Sequence, residues 1–211
     1  MRKLMTGVAF VAALVACGGS ALAVDQQIVG KKLIILNPLS GPANNKVVYL
    51  SKDTSIALPG NATQDPRCPA AGSNNAQLTV GSVSSGESFA IGLPCGNWSV
   101  NGAGNTYRYK DTTGATCKIV IVKGGRLNKA VCKGTQVSYD LTNVDQVSVD
   151  VVLRAGSAPL RWCTSFSALN GCTVVKNGSD GKKYLAKNCA TAPAACGASP
   201  SGAFLDGTSL F

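Results

Sequence analysis

The 211-residue chain has no histidine, a single glutamate, and only 5 Phe, 5 Tyr and 2 Trp. Without His there is no Ser-His-Asp triad, no Cys-His pair and no His-ligated zinc, copper or haem. Ten acidic residues are present, none in a calcium-loop pattern. No two cysteines have the C-x-x-C spacing of a thioredoxin-type redox site or a zinc ribbon. Charged residues make up 14% of the chain, against about 25% in an ordinary soluble domain. With Glu87 alone of its kind, long solvent-facing helices, which draw on Glu and Lys, are not expected. A 45% hydrophobic share speaks against wholesale disorder.

What is present begins with an export signal. Arg2 and Lys3 precede an apolar run, Leu4 to Ala16, and Ala21-Leu22-Ala23 is a small-x-small cleavage site. Residues 1–23 are therefore expected to be a signal peptide, removed before Val24. A rival reading is a lipobox, Leu14-Val15-Ala16-Cys17, with Cys17 acylated and Gly18-Gly19-Ser20 as a tether. Either route leaves eight cysteines in an oxidising space: Cys68, Cys95, Cys117, Cys132, Cys163, Cys172, Cys189 and Cys196. Cleavage after Ala23 leaves a net charge of +8. Beyond that point the basic residues are scattered, with only the pairs Lys31-Lys32 and Lys182-Lys183. No nucleic-acid motif accompanies them, so nucleic acid is not an expected partner.

Short β-branched or alternating runs separated by turn residues fill the mature chain. They cover 31–37, 46–52, 76–80, 87–94, 106–110, 117–123, 126–133, 135–141, 146–154 and 160–166, and more weakly 172–176 and 182–187. In 146–154, Val147, Val149, Val151 and Leu153 are expected on one face. About ten strands at this spacing predict an all-β domain over 24–188: a disulfide-braced antiparallel β-sandwich or open barrel. A Cys/Ala/Pro/Ser-rich tail covers 189–211. Loops are expected at 37–45 and 59–75, and Ala155–Pro159 is the one candidate for a seam. In CKIVIVKGGRLNKAVC, a two-residue Gly124-Gly125 turn sets Lys123 against Arg126 and brings Cys117 opposite Cys132. Cys68 with Cys95 is the next expected pair, with Cys163/Cys172 and Cys189/Cys196 as local guesses for the rest. YLSKDT and YRYKDT each read as a strand ending in a Lys-Asp turn whose Asp accepts backbone N–H bonds.

The segments KKLIIL, KVVYLSKD, YRYKD and CKIVIVKGGRLNKAVCKG resemble uncharacterised β-rich domains of exported bacterial proteins, over most of residues 30–188. The resemblance implies export and supplies no site. No catalytic, cofactor or metal residue is expected. Ser51-Lys52 would point to opposite faces of a strand. Asp140, Asp145 and Asp150 are the carboxylates a glycosidase pair would draw on, but Asp140 and Asp145 fit turn positions and Asp150 a solvent face. Trp98, Tyr107 and Tyr109 are candidates for a sugar-stacking platform, although a β core alone could absorb them. Arg67 and Arg126 are candidate exposed side chains for a protease inhibitor. The expected function is an exported, non-catalytic structural or binding domain at the envelope or outside the cell. Its partners would be anionic glycans or envelope components, with membrane contact only through Cys17. A lipoprotein, a secreted hydrolase and a protease inhibitor are the alternatives.

Overall fold

The computed structural model describes residues 23–38, 40–68, 76–82, 84–114, 116–141, 145–157 and 159–196. The segment expected to be a signal peptide, and Cys17 within it, lie outside these residues, apart from Ala23. The strands are β1 Val24–Gln27, β2 Gly30–Leu36, β3 Lys46–Ser51, β4 Ala76–Gly81, β5 Ser88–Leu93, β6 Trp98–Val100 and β7 Thr106–Lys110. They continue with β8 Cys117–Lys123, β9 Leu127–Lys133, β10 Ser148–Ala155, β11 Leu160–Ser167, β12 Thr173–Asn177 and β13 Lys183–Lys187. No α-helix occurs among the described residues.

Two sheets form, so the architecture is a sandwich. One has five strands in the order β1-β11-β10-β4-β5, and the other eight in the order β12-β13-β2-β3-β9-β8-β7-β6. All pairings are antiparallel except β1 with β11. Among the described residues thirteen strands replace the expected ten or so. The short β1 and β6 carried too little alternation to be read. The run 135–141 is not a strand: Val137, Tyr139 and Leu141 are buried, but the segment finds no ladder partner and serves as an extended crossover. The seam expected near Ala155–Pro159 falls between β10 and β11, which pair antiparallel in one sheet. Val147 stands 62% exposed before β10 begins, so only Val149, Val151 and Leu153 share the inner face.

Alternation places Leu33, Ile35, Val47, Tyr49, Val120, Val122, Leu78, Val80, Ile91, Val151 and Trp162 in one core between the sheets. Three polar ties cross it or close its rim. The Tyr49 hydroxyl meets the Thr164 hydroxyl at 2.8 Å, Tyr184 O–H donates to the Phe166 carbonyl at 2.7 Å, and Trp162 Nε1–H donates to the Ala57 carbonyl at 2.9 Å. Burial raises the Tyr49 hydroxyl far above its ordinary pKa, even against the lowering effect of the Thr164 and Ser51 hydroxyls. Tyr49 therefore stays neutral, as a buried tie must.

The β8–β9 hairpin departs from expectation in register while keeping its bond. Lys123 pairs with Leu127, so the turn has three residues and not two. Gly125 takes the left-handed conformation there, at φ 60°. The shift would set Lys118 opposite Cys132, but a bulge between Cys117 and Ile119 absorbs it and restores Cys117 against Cys132. The bulge also turns Cys117 to the buried face that Val120 and Val122 occupy. The Cys117–Cys132 bond forms as expected, as does Cys68–Cys95.

The last four cysteines pair otherwise than expected, as Cys172–Cys189 and Cys163–Cys196. Cys163 lies on the outer face of β11, whereas Cys172 follows a 3₁₀ turn, Ala168–Asn170, that carries the chain to the other sheet. β12 and β13 then pair with Thr173 opposite Lys187, which brings Cys172 and Cys189 together at the open end of their hairpin. The arm beyond Ala190 crosses the outer face of the five-stranded sheet and is fastened at Cys163.

A Cβ at Gly30 would stand 2.7 Å from the Phe166 ring and 2.8 Å from the Thr164 methyl. Gly30→Ala is expected to cost about 1–3 kcal/mol through overpacking. Asn128 is fully buried, and its side-chain amide makes no hydrogen bond to any described residue. Asn128→Leu is expected to gain about 1 kcal/mol by removing an unpaired buried amide. Urea unfolding of the oxidised protein reads both.

Candidate binding surface

The eight strands of the larger sheet hold twelve Lys and Arg and no Asp or Glu. The five strands of the smaller sheet hold two of each sign. Strand alternation turns ten of the twelve outward. Lys31 and Lys118 sit at bulges.

The registers arrange the outer face in rows across the strands, which lie about 4.8 Å apart, with rows about 7 Å apart along them. One row runs Lys183, Leu36, Lys46, Lys133. The next is aliphatic over five adjacent strands: Leu185, Ile34, Val48, Val131 and Ile119, ending at Lys110. The third runs Lys187, Lys32, Leu50, Lys129, Ile121, Arg108. The aliphatic side chains are half-buried, as expected where lysine stems lie along apolar neighbours and raise their ammonium groups to water.

The acids beside this sheet stand in the segments that connect its strands. Asp53 follows β3, and its carboxylate accepts from Val29 N–H at 2.6 Å and from Ser55 N–H and O–H. Burial alone would raise its pKa, but these bonds outweigh it and leave it lowered. Asp111 follows β7 and accepts from the hydroxyls and amides of Thr113 and Thr116, at 2.6–2.8 Å. Led by the Thr113 hydroxyl, these bonds hold it far below the usual carboxylate range. Both expected Lys-Asp turns are thus formed. Asp140 accepts from Asn37 at 3.4 Å, and Asp180 caps the turn before β13.

Trp98, Tyr107 and Tyr109 face inward and are at most 8% exposed. Trp98 and Tyr109 pack at 5.5 Å, and Trp98 Nε1–H donates to the Leu93 carbonyl. As a stacking platform they are used up by the core. Beside them a cleft of about 460 Å³ is lined by Asp65, Arg67, Gly96, Trp98 and the Cys68–Cys95 bond. Arg67 is held in it by Asp65 through Nε and Nη2 and lies 5.8 Å from the Tyr107 ring centre. An arginine clamped this way is not the free side chain an inhibitor loop presents. Arg126 is exposed at the tip of the β8–β9 hairpin. Ser51 is buried and donates to the Val29 carbonyl, while Lys52 is exposed, so the two do face apart.

Asp150 does not sit on a solvent face. It lines a hollow of about 120 Å³ with Val152, Cys163 and Ser165, under Pro193 and Ala195 of the fastened arm. Burial raises its pKa, with the Ser165 hydroxyl partly opposing. Asp140 hydrogen-bonds beyond the end of β2 in the other sheet, so Asp140 and Asp150 do not converge as a glycosidase pair. The face rows could not be read from the sequence, because they depend on which strands are neighbours; the only signal was the lack of acids within the lysine-bearing runs. The chain matches no family model, and no curated protein or solved structure matches it.

Asp111 and Asp150 should respond to pH with opposite sign. A lowered folded-state pKa means that the stability contributed by Asp111 is complete above the unfolded carboxylate pKa of about 3.9 and is lost as pH falls through the folded value. A raised one means that ionised Asp150 costs stability at neutral pH and that protonation relieves the cost. Asp150→Asn is therefore expected to raise Tm at pH 7 by a few degrees, with the gain shrinking toward pH 4. Asp111→Asn should lower Tm at pH 7 and by nearly as much at pH 4, with the loss shrinking only as pH falls below about 3.9. Thermal unfolding at pH 7, at pH 4 and at about pH 2.5 checks the pair.

Proposed function

We propose that this chain is an exported, non-catalytic binding domain that works at the cell envelope or outside the cell. The observation that carries it is the set of four disulfides: one staples a sheet hairpin, one a long loop, and two close the C-terminal hairpin and arm. Such cross-linking belongs to an oxidising compartment. The export signal in the sequence agrees with it, and β1 starts at Val24, the residue after the expected cleavage site.

The use of the titratable groups favours binding over catalysis. Asp53, Asp111 and Asp180 cap turns, and Asp25 and Asp65 pair with Arg161 and Arg67. A hydrolase needs two such groups converging on one substrate atom. An inhibitor needs an extended basic loop, whereas Arg67 is clamped by Asp65 and Arg126 stands in a tight three-residue hairpin turn. The open, one-signed face of the larger sheet supports binding of anionic glycans or envelope components.

A second reading, a lipoprotein anchored through Cys17, is favoured by Leu14-Val15-Ala16-Cys17. It would set the same domain on a short tether at a membrane. Intact mass of the native protein, before and after reduction, separates the readings. The expected chain starts at Val24 and gains eight hydrogens, two for each of the four bonds. An acylated chain starting at Cys17 would establish the lipoprotein. A mass unchanged by reduction would overturn the oxidising compartment and the proposal with it.

A further inference from the structure

We infer that the outer face of the eight-stranded sheet is a binding surface for a linear polysaccharide bearing carboxylate or sulfate groups. The inference rests on the binding reading above and assigns it a place and a ligand chemistry. Its first support is charge: every charged side chain that its strands turn outward is basic, and Asp180, beside Lys176 and Lys183, belongs to a connecting turn. Its second is a cost in stability. Lys46 lies directly opposite Lys133, and Lys187 directly opposite Lys32. Like charges in cross-strand register destabilise a sheet. The smaller sheet also sets two cations opposite each other, Arg154 and Arg161, but supplies Asp25, whose carboxylate binds Arg161 at 2.5–2.6 Å. No strand of the larger sheet supplies an acid. An external polyanion removes the repulsion that the sheet leaves in place.

The form of the face selects the class of polyanion. Its cations recur across the strands at intervals of roughly 5–10 Å, which suits an extended chain with regularly spaced charges. The aliphatic row between the lysine rows offers the C–H faces of sugar rings an apolar track. Nine of the ten outward cations are lysine, a point charge that does not demand the planar fork geometry of arginine recognition. A single-stranded nucleic acid would call for aromatic platforms, but the strand aromatics Tyr49, Trp98, Tyr107, Tyr109 and Tyr184 all point into the core. A bilayer would call for apolar side chains free to insert, whereas the aliphatic row is half-covered.

The test uses the mature, oxidised protein and four probes: polygalacturonate, dextran sulfate, anionic phosphatidylglycerol vesicles and single-stranded DNA, with neutral dextran as reference. Binding to the two polysaccharides is expected, with none to neutral dextran and with steep weakening between about 50 and 200 mM salt. Lys32→Gln/Lys46→Gln/Lys129→Gln should weaken it about tenfold or more. The same variant should have an unchanged or higher Tm, because it removes one member of each like-charge pair; retained Tm separates lost binding from lost fold. Gln77→Glu/Ser88→Asp/Ala90→Glu lowers net charge equally but on the outer face of the other sheet, and should change affinity less than about twofold. The inference is overturned if neither charged polysaccharide binds, if the two triple variants lose affinity equally, or if vesicles or DNA bind as tightly as the polysaccharides. None of these results alters the mass of the native chain, so the exported-domain reading stands or falls separately.

Discussion

The structure depends on the close approach of β2 to β11 across the sandwich. Gly30 lies so near the Phe166 ring and the Thr164 methyl that no side chain fits between them. On either side of that contact, Tyr49 reaches Thr164 and Tyr184 reaches the Phe166 carbonyl. These are two side-chain hydroxyls whose partners are also buried. Misplacement of either sheet would leave them unpaired, at a cost of about 1–3 kcal/mol each. The seam therefore fixes how the sheets sit, beyond the non-directional drive of burying their inner faces.

Closing that seam decides what remains outside. The inner faces take the strand aromatics, including Trp98, Tyr107 and Tyr109. The outer face of the smaller sheet is partly roofed by the arm fastened at Cys163, which buries Val152 and half-buries Asp150. The outer face of the larger sheet is left as rows of lysine and aliphatic side chains. The two layers thus carry different duties: one is charge-balanced and bound down by its own chain, while the other keeps its repulsions. The Cys117–Cys132 bond stiffens that second layer from within, since it joins β8 to β9 on the buried side. Closing a loop of 15 residues is worth about 3 kcal/mol, which offsets several like-charge contacts.

The disulfides show how far local reasoning reaches. Cys117 and Cys132 flank a single hairpin, so alternation and one turn were enough to join them, and the error of one residue in the turn was cancelled by a bulge. Cys172 and Cys189 also flank a single hairpin, but its strands have five residues each, β12 is largely exposed and Val175 bulges out of register, so the pattern was too weak to bring them together. Cys163 with Cys196 had no local signal at all. That bond depends on where the chain goes after β13, across a face built from β10 and β11. Asp150 was misplaced for the same reason: an alternating strand shows which side chains share a face, not what later lies over it.

The sequence by itself determined the class of the protein. It excluded every chemistry that needs histidine, set the strands and most of their boundaries, and placed both Lys-Asp turns, because period-two alternation and turn residues act over a few positions. It also determined that the lysines would come in strands without acids. Only the tertiary structure decided that these strands are neighbours. Lys46 of β3 meets Lys133 of β9, 87 residues later, and none of the five strands between them in the chain lies between them in the sheet. Strand order is a long-range choice, made when inner faces are buried together and loops of very different length are closed. It turned scattered charges into one surface.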